Sequence, residues 1–370
     1  MKKVLSVFLV VLVFWACSED GEPTIEETPS DNFDRKAMLV NWADNIIVPG
    51  YTAYAESTTN LVEAKDAFIT LSNEDNLADL RSAWKDAYIA WQKVSMFEIG
   101  KAEQITLRAY TNIFPTDASE IESKITQEDF DLSLPSSRDA QGFPALDYLL
   151  YGAAETDAAL VARFNEEQAL KDYLSTVTDK LNSLAKTVLN DWENGYRTTF
   201  VEKSGSDASS SVNKLLNDYM YYYEKALRAG KVGIPAGVFS DGGTLSDRVE
   251  AYYNREISKE LLMTGLQASI DFFNGVHFDG TTAGESLHSY LDFVQTISEG
   301  ENLSALINNQ FNSASDKGNT LNNNLYEEVE TNNTAMLQTY DELQKNVVLM
   351  KVDMFQALNV KVDFVDADGD

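Results

Sequence analysis

The sequence has 370 residues, 44% hydrophobic and 24% charged, the make-up of a folded chain long enough for two or three cores rather than of a disordered or fibrous one. Its 59 acidic residues against 29 basic ones give a formal charge of −30, which disfavours nucleic-acid binding and charge-driven docking on an anionic membrane but suits cationic ligands. One cysteine and two histidines, His277 and His288, exclude a disulfide framework, a CxxC zinc site and a His-rich metal centre.

Residues 1–17 (MKKVLSVFLVVLVFWAC) begin with basic Lys2 and Lys3 and continue as an almost wholly apolar run from Val4 to Trp15. That run is too short to span a bilayer and has the pattern of a signal peptide. Ala16-Cys17 resembles a bacterial lipobox, although Phe14 and Trp15 are bulkier than its usual residues. The expectation is a lipoprotein signal peptide over 1–16, lipidation of Cys17 and export to the outer membrane, on its periplasmic or cell-surface face. Ser18-Glu19-Asp20 resembles the acidic export tag of Bacteroidota surface lipoproteins. Residues 17–32 are acidic, carry Pro23 and Pro29 and hold almost no apolar residue, which is the composition of a tether.

From Phe33 onward the apolar period is helical. Met38, Leu39, Trp42, Ile46 and Ile47 share a stripe. Pro49-Gly50 predicts an interruption before a helix over 51–71. Leu77 to Glu98 reads as one long helix with a cap among Asn73–Asp75, and 157–193 as another capped by Thr156. Gly195 and the polar run 204–211 (SGSDASSS) mark a loop, which places a boundary near residue 205. Beyond it, helices are expected over 212–229, 245–273, 284–298, 303–315 and 321–358, the last as one element or two. Val360, Val362 and Phe364 alternate, but over too short a stretch to pair as a strand. The fold class is all-α: two tandem helical bundles, 33–204 and 205–370.

Chemistry is sparse. No phosphate loop, nucleophile elbow or dinucleotide fingerprint occurs. GFPALDYLLYG (142–152) reads first as a short core helix. Gly142 permits the turn, Pro144 suits a first helical turn, and Asp147 is favoured by the helix dipole. The tyrosines at 219 and 221–223 point around a helix and read as core. The final VDADGD (365–370) lacks the spacing of a calcium loop and reads as an acidic tail.

GFPALDYLLYG nevertheless resembles the segment carrying the GxHxxE motif of the imelysin-like family, described as insulin-cleaving metalloproteinases and associated with iron uptake. AWKDAYIAWQKVSMFEIGKAE (83–103), NIFPTDASEIESKI (112–125), KVGIPAGVFS (231–240) and the stretch 343–370 are similar to further family blocks, in order. The resemblance implies two bundle-like domains with a site near their interface. Onto the motif fall Gly142, Phe143, Pro144 in place of histidine and Asp147 in place of glutamate. Proline offers no donor atom, and a zinc peptidase needs two or three strong ligands and an open position. Peptidase chemistry is therefore not expected.

The reading is a non-catalytic binding lipoprotein linked to iron uptake, its ligand iron, an iron chelate or haem, or a surface or outer-membrane partner protein. Its candidate residues are Gly142, Phe143, Pro144 and Asp147, the last also a metal ligand, joined by Glu98, Arg108, Asp353 and Gln356. Oxygen donors of this kind suit hard cations such as ferric iron. The alternatives are a metallopeptidase with altered ligands and a helical scaffold that binds other surface proteins.

Overall fold

In a computed structural model that describes residues 32–297 and 302–364, every regular element is a helix; one isolated antiparallel bridge joins Val276 and Ala283. The signal peptide, Cys17, most of the tether and VDADGD lie outside the described residues, and among these residues no helix is long and apolar enough to cross a membrane.

Asp34 caps α1 (Arg35–Asn41) by accepting the Ala37 amide. The expected break at Pro49-Gly50 does not occur. A wide π turn (Trp42–Ile47) carries the chain straight into α2 (Val48–Thr70). Proline in a helix normally leaves the carbonyl four residues back unpaired. Here that carbonyl, Asn45, accepts the Phe278 amide at 2.8 Å, so the missing donor is supplied from another part of the chain.

Asn73 caps α3 (Glu74–Gln92), which ends six residues before the expected Glu98. The short helices α4 (Lys101–Gln104), α5 (Leu107–Thr111), α6 (Ala118–Gln127) and α7 (Gly142–Asp147) follow. The helix expected over 157–193 is two, capped α8 (Asp157–Glu166) and α9 (Gln168–Asp191), separated by extended Glu167. After α10 (Arg197–Glu202) the polar loop leads to α11 (Ser211–Tyr221), capped by Ser210 and prolonged by a π segment to Gly233. The predicted helix 245–273 begins only at Ser258 as α12 (Ser258–Asn274); its first residues form 3₁₀ turns. α13 (Leu287–Ile297), α14 (Leu303–Asn319), α15 (Leu325–Val348, kinked at Asn332) and α16 (Phe355–Ala357) complete the order.

α2 packs between α3 and α9, while α14 packs on α12 and α15, and α15 on the π segment after α11. The two sets meet where α3 lies on α12 and where Trp42, Phe97 and Tyr219 surround Phe272 at ring distances of 5.0–5.3 Å. Phe33 onward forms one compact unit, with the 204–210 loop at its surface between α10 and α11. Val360 and Phe364 pack on the core, but the stretch is held by side chains rather than by a strand. Asn213 Oδ1 accepts the Lys361 amide at 2.9 Å and Asn217 Oδ1 the Asp363 amide at 3.0 Å.

Buried Asn41 is a second cross-brace: its amide donates to the carbonyls of Gly275 (3.2 Å) and Glu285 (3.1 Å). Asn41→Ala leaves both acceptors without this donor and should lower unfolding free energy by about 1–3 kcal/mol. Chemical denaturation should show a lower midpoint at unchanged slope.

Candidate functional site

A cavity of about 640 Å³ opens where the end of α3, residues 98–115, α11 with its π segment, and Asp363-Phe364 converge. It exists because the chain turns away after Gln92. Gly100, at φ +61°, then leads into α4, and a Cβ there would meet the Tyr196 ring at 2.5 Å.

One wall is a carboxylate–guanidinium cluster. Arg108 donates from Nη2 to Asp218 and from Nε to the Ser95 carbonyl at 3.0 Å. Glu98 Oε2 lies 3.1 Å from Arg108 Nε and accepts the Arg108 backbone amide at 3.1 Å, while the Glu98 amide donates to Asp218. Burial pushes the Glu98 carboxyl up to about 7 against the opposing pull of Arg108, with Asp218 adding to the rise. Asp218 is raised by burial and lowered by Arg108. Arg108, a candidate ligand-binding residue from the sequence, is thus paired with two local acids, Glu98 and Asp218.

The floor is a buried network built on Lys231 and Glu250, neither of which stands out in the sequence. Lys231 Nζ donates to Glu250 and, at 2.9 Å, to Gln92 Oε1. Glu250 Oε1 also accepts from Gln92 Nε2 (3.0 Å) and Asn112 Nδ2 (2.7 Å), and Asn112 Oδ1 accepts from Tyr88 at 2.6 Å. Burial lowers the Lys231 ammonium and Glu250 offsets part of the fall. Full hydrogen bonding is what makes a buried ion pair tolerable. For the wall, the available signal was Asp218, a charge one turn after buried Leu215 and next to buried Tyr219; nothing local marks Lys231 or Glu250.

The GFPALD segment stands behind this floor. Gly142, Phe143, Pro144 and Asp147 are all buried. Gly142 has φ +76°, and a Cβ would lie 2.2 Å from the Thr111 carbonyl oxygen at the end of α5. Phe143 stacks on Tyr88 at 4.5 Å, and its carbonyl accepts Trp84 Nε1. Each Asp147 oxygen accepts one backbone amide, Tyr253 at 2.8 Å and Asn254 at 2.9 Å. Burial nevertheless pushes its carboxyl up to about 7, the two amides opposing the rise. So the structure brings Glu98 and Arg108 to the cavity and sets GFPALD behind it. Asp353 and Gln356 are exposed and lie outside the lining.

The histidines are also elsewhere: His277 contacts Thr282 at 2.6 Å and His288 contacts Asn274 at 3.0 Å. Among the described residues, the one set of three metal-type donors within mutual reach is Asp117, Glu120 and Asp139, where Asp117 already caps α6.

Comparison with known proteins places these features in context. Residues 47–349 match the family model described as imelysin. Iron-regulated protein A of Synechococcus elongatus is 21% identical over 267 residues, covering 67% of this chain and 68% of that protein. The crystal structure of an imelysin-like protein from Psychrobacter arcticum 273-4 superposes with a TM-score of 0.68 at 16% identity, covering 89% of this chain and 97% of that one. An iron-regulated protein A precursor from Parabacteroides distasonis gives the same TM-score and identity, covering 86% and 94%.

Two outcomes follow from the buried charges. Lys231→Met leaves Glu250 without its cation and should cost about 3–5 kcal/mol, whereas Lys231→Met with Glu250→Leu should recover much of that loss in a denaturant titration. Asp147 and Glu98 hold protons in the folded state that the unfolded chain, with ordinary values of 3.8 and 4.5, releases at lower pH. Their contribution to stability is therefore present at low pH and is lost as pH rises towards about 7. Melting curves across that window should slope less steeply in Asp147→Asn than in the parent.

Proposed function

The chain belongs to the imelysin family, and on that premise we propose that it is a non-catalytic, iron-associated binding component of the cell envelope whose ligand occupies the cavity beneath α3 and α11. The observation that carries this reading is the cavity itself. Its volume falls in the range of small-molecule sites, and it combines aromatic walls with convergent polar groups held by a pre-formed network. Binding rather than hydrolysis is supported by the residues: Pro144 replaces the motif histidine, Asp147 is engaged with two amides, and neither histidine reaches the cavity. The association with iron rests on the names of the relatives, two of which are iron-regulated protein A or its precursor. The word precursor, with the lipobox-like Ala16-Cys17, supports export and anchoring through Cys17 at the outer membrane. GFPALD acts here as the support that fixes α5 and the floor, and the two-bundle division as the frame that leaves the cavity between helix sets.

Calorimetric titration of the purified protein with ferric ion, ferrous ion, zinc and haem tests the reading. Saturable one-site binding of iron or haem is expected, abolished by Ala109→Trp, which fills the cavity, and unchanged by Asp353→Ala. Binding that survives the filled cavity, or no binding of any iron form, removes the proposal.

A further inference from the structure

We infer that the cavity takes iron as a multiply anionic, ring-bearing chelate rather than as a bare ion, an inference that rests on the iron-binding reading above. The chain carries −30, yet six cations line the cavity, Arg108, Arg138, Lys214, Lys225, Lys231 and Arg248. Only four carboxylates join them, from Glu98, Glu103, Asp218 and Asp363. Acids just outside the lining pair Lys231 (Glu250), Lys225 (Glu224) and Arg248 (Asp247), and Glu98 and Asp218 pair Arg108, so the lining cations left to attract an anion are Arg138 and Lys214.

The carboxylates are poorly placed for a naked cation. Asp218 and Glu98 are both engaged by Arg108 and by backbone amides, so any metal there competes with a fixed guanidinium. Glu103 and Asp363 do not join them in a set of converging donors, the described set of three lying elsewhere. A hard trivalent ion without its own chelator needs several converging oxygens.

The cations, by contrast, include groups with bonding capacity left. Neither Arg138 nor Lys214 forms an ion pair among the described residues. Arg138 Nε is buried with no hydrogen-bond partner, its guanidinium lying over Tyr110 at 5.0 Å and its Nη2 only 3.4 Å from Thr106. A buried donor left unmade is costly, and an acceptor oxygen on a ligand would satisfy it. Arg248 is exposed beside Asp247.

The rest of the lining suits rings. Tyr221, 41% exposed, meets Phe364 edge-on at 5.8 Å, and Ile113 and Ile234 stay exposed at the mouth. The volume is far beyond one ion with its water, each water needing about 30 Å³. Cations around an apolar, aromatic-walled space recognise charged oxygens on flat rings, the chemistry of a ferric catecholate.

The test titrates the purified protein at pH 7 with ferric tris(2,3-dihydroxybenzoate), with ferrous ion under argon, and with metal-free 2,3-dihydroxybenzoate. Saturable binding of the ferric chelate is expected. Arg138→Gln/Lys214→Gln/Arg248→Gln should weaken it by roughly tenfold or more, as should raised salt. Melting curves check that the triple variant folds. Glu103→Gln should tighten the chelate and weaken any cation binding, a reversal of sign that loss of structure cannot mimic. Ferrous ion bound without the chelate, or chelate binding untouched by the triple variant, overturns the inference while leaving the iron reading standing. Metal-free ligand bound as tightly as the ferric form supports the anion site and overturns the iron reading instead. Silence with all three ligands overturns both.

Discussion

The Lys231–Glu250 pair is the constraint on which the surrounding architecture depends. Both side chains are almost fully buried, and a charge in such surroundings survives only when its partner and its remaining hydrogen bonds are fixed together. Satisfying this pair draws in Gln92 from the end of α3, Asn112 from the end of α5, and through it Tyr88. Those residues come from four separate stretches. Once they are locked, α3 has to stop near Gln92, α5 has to lie against the GFPALD segment, and the π segment after α11 has to present Lys231 inward. The cavity is the space this arrangement leaves uncovered.

Helices and their class were legible because apolar spacing and caps are local signals: Asn73 and Thr156 cap the helices they precede. Their ends were not. Pro49 reads as a breaker until Phe278, far away in sequence, supplies the lost donor to Asn45. Glu98 reads as the end of α3 until Gly100 and the Arg108 cluster take it out of the helix. In both cases a tertiary bond outweighed local preference. The alternation at 360–364 was real, but the partners of its backbone are asparagine side chains, which no strand pattern announces.

The candidate site was half legible for a similar reason. Arg108 and Glu98 are noticeable as charges near the end of a predicted helix. Asp218, Lys231 and Glu250 are separated widely in the sequence and meet only in the fold. Asp147 was noticed for its place in a motif, yet burial and two amides make it a clamp on residues 253–254. Asp353 and Gln356, also candidates from the sequence, are exposed, where polarity needs no explanation.

The asparagine straps on Lys361 and Asp363 also bear on assembly. They seat Asp363 and Phe364 as part of the cavity lining, to which Trp91 and Gln92 also contribute. A pocket whose walls are so distant along the chain closes late, because loop entropy has to be overcome before its contacts form. During vectorial synthesis, the early helices can pack while the pocket is still open on one side. The cavity wall is complete only when residues 363 and 364 are seated, so a molecule touching the whole pocket would favour that last docking step rather than the nucleus of folding.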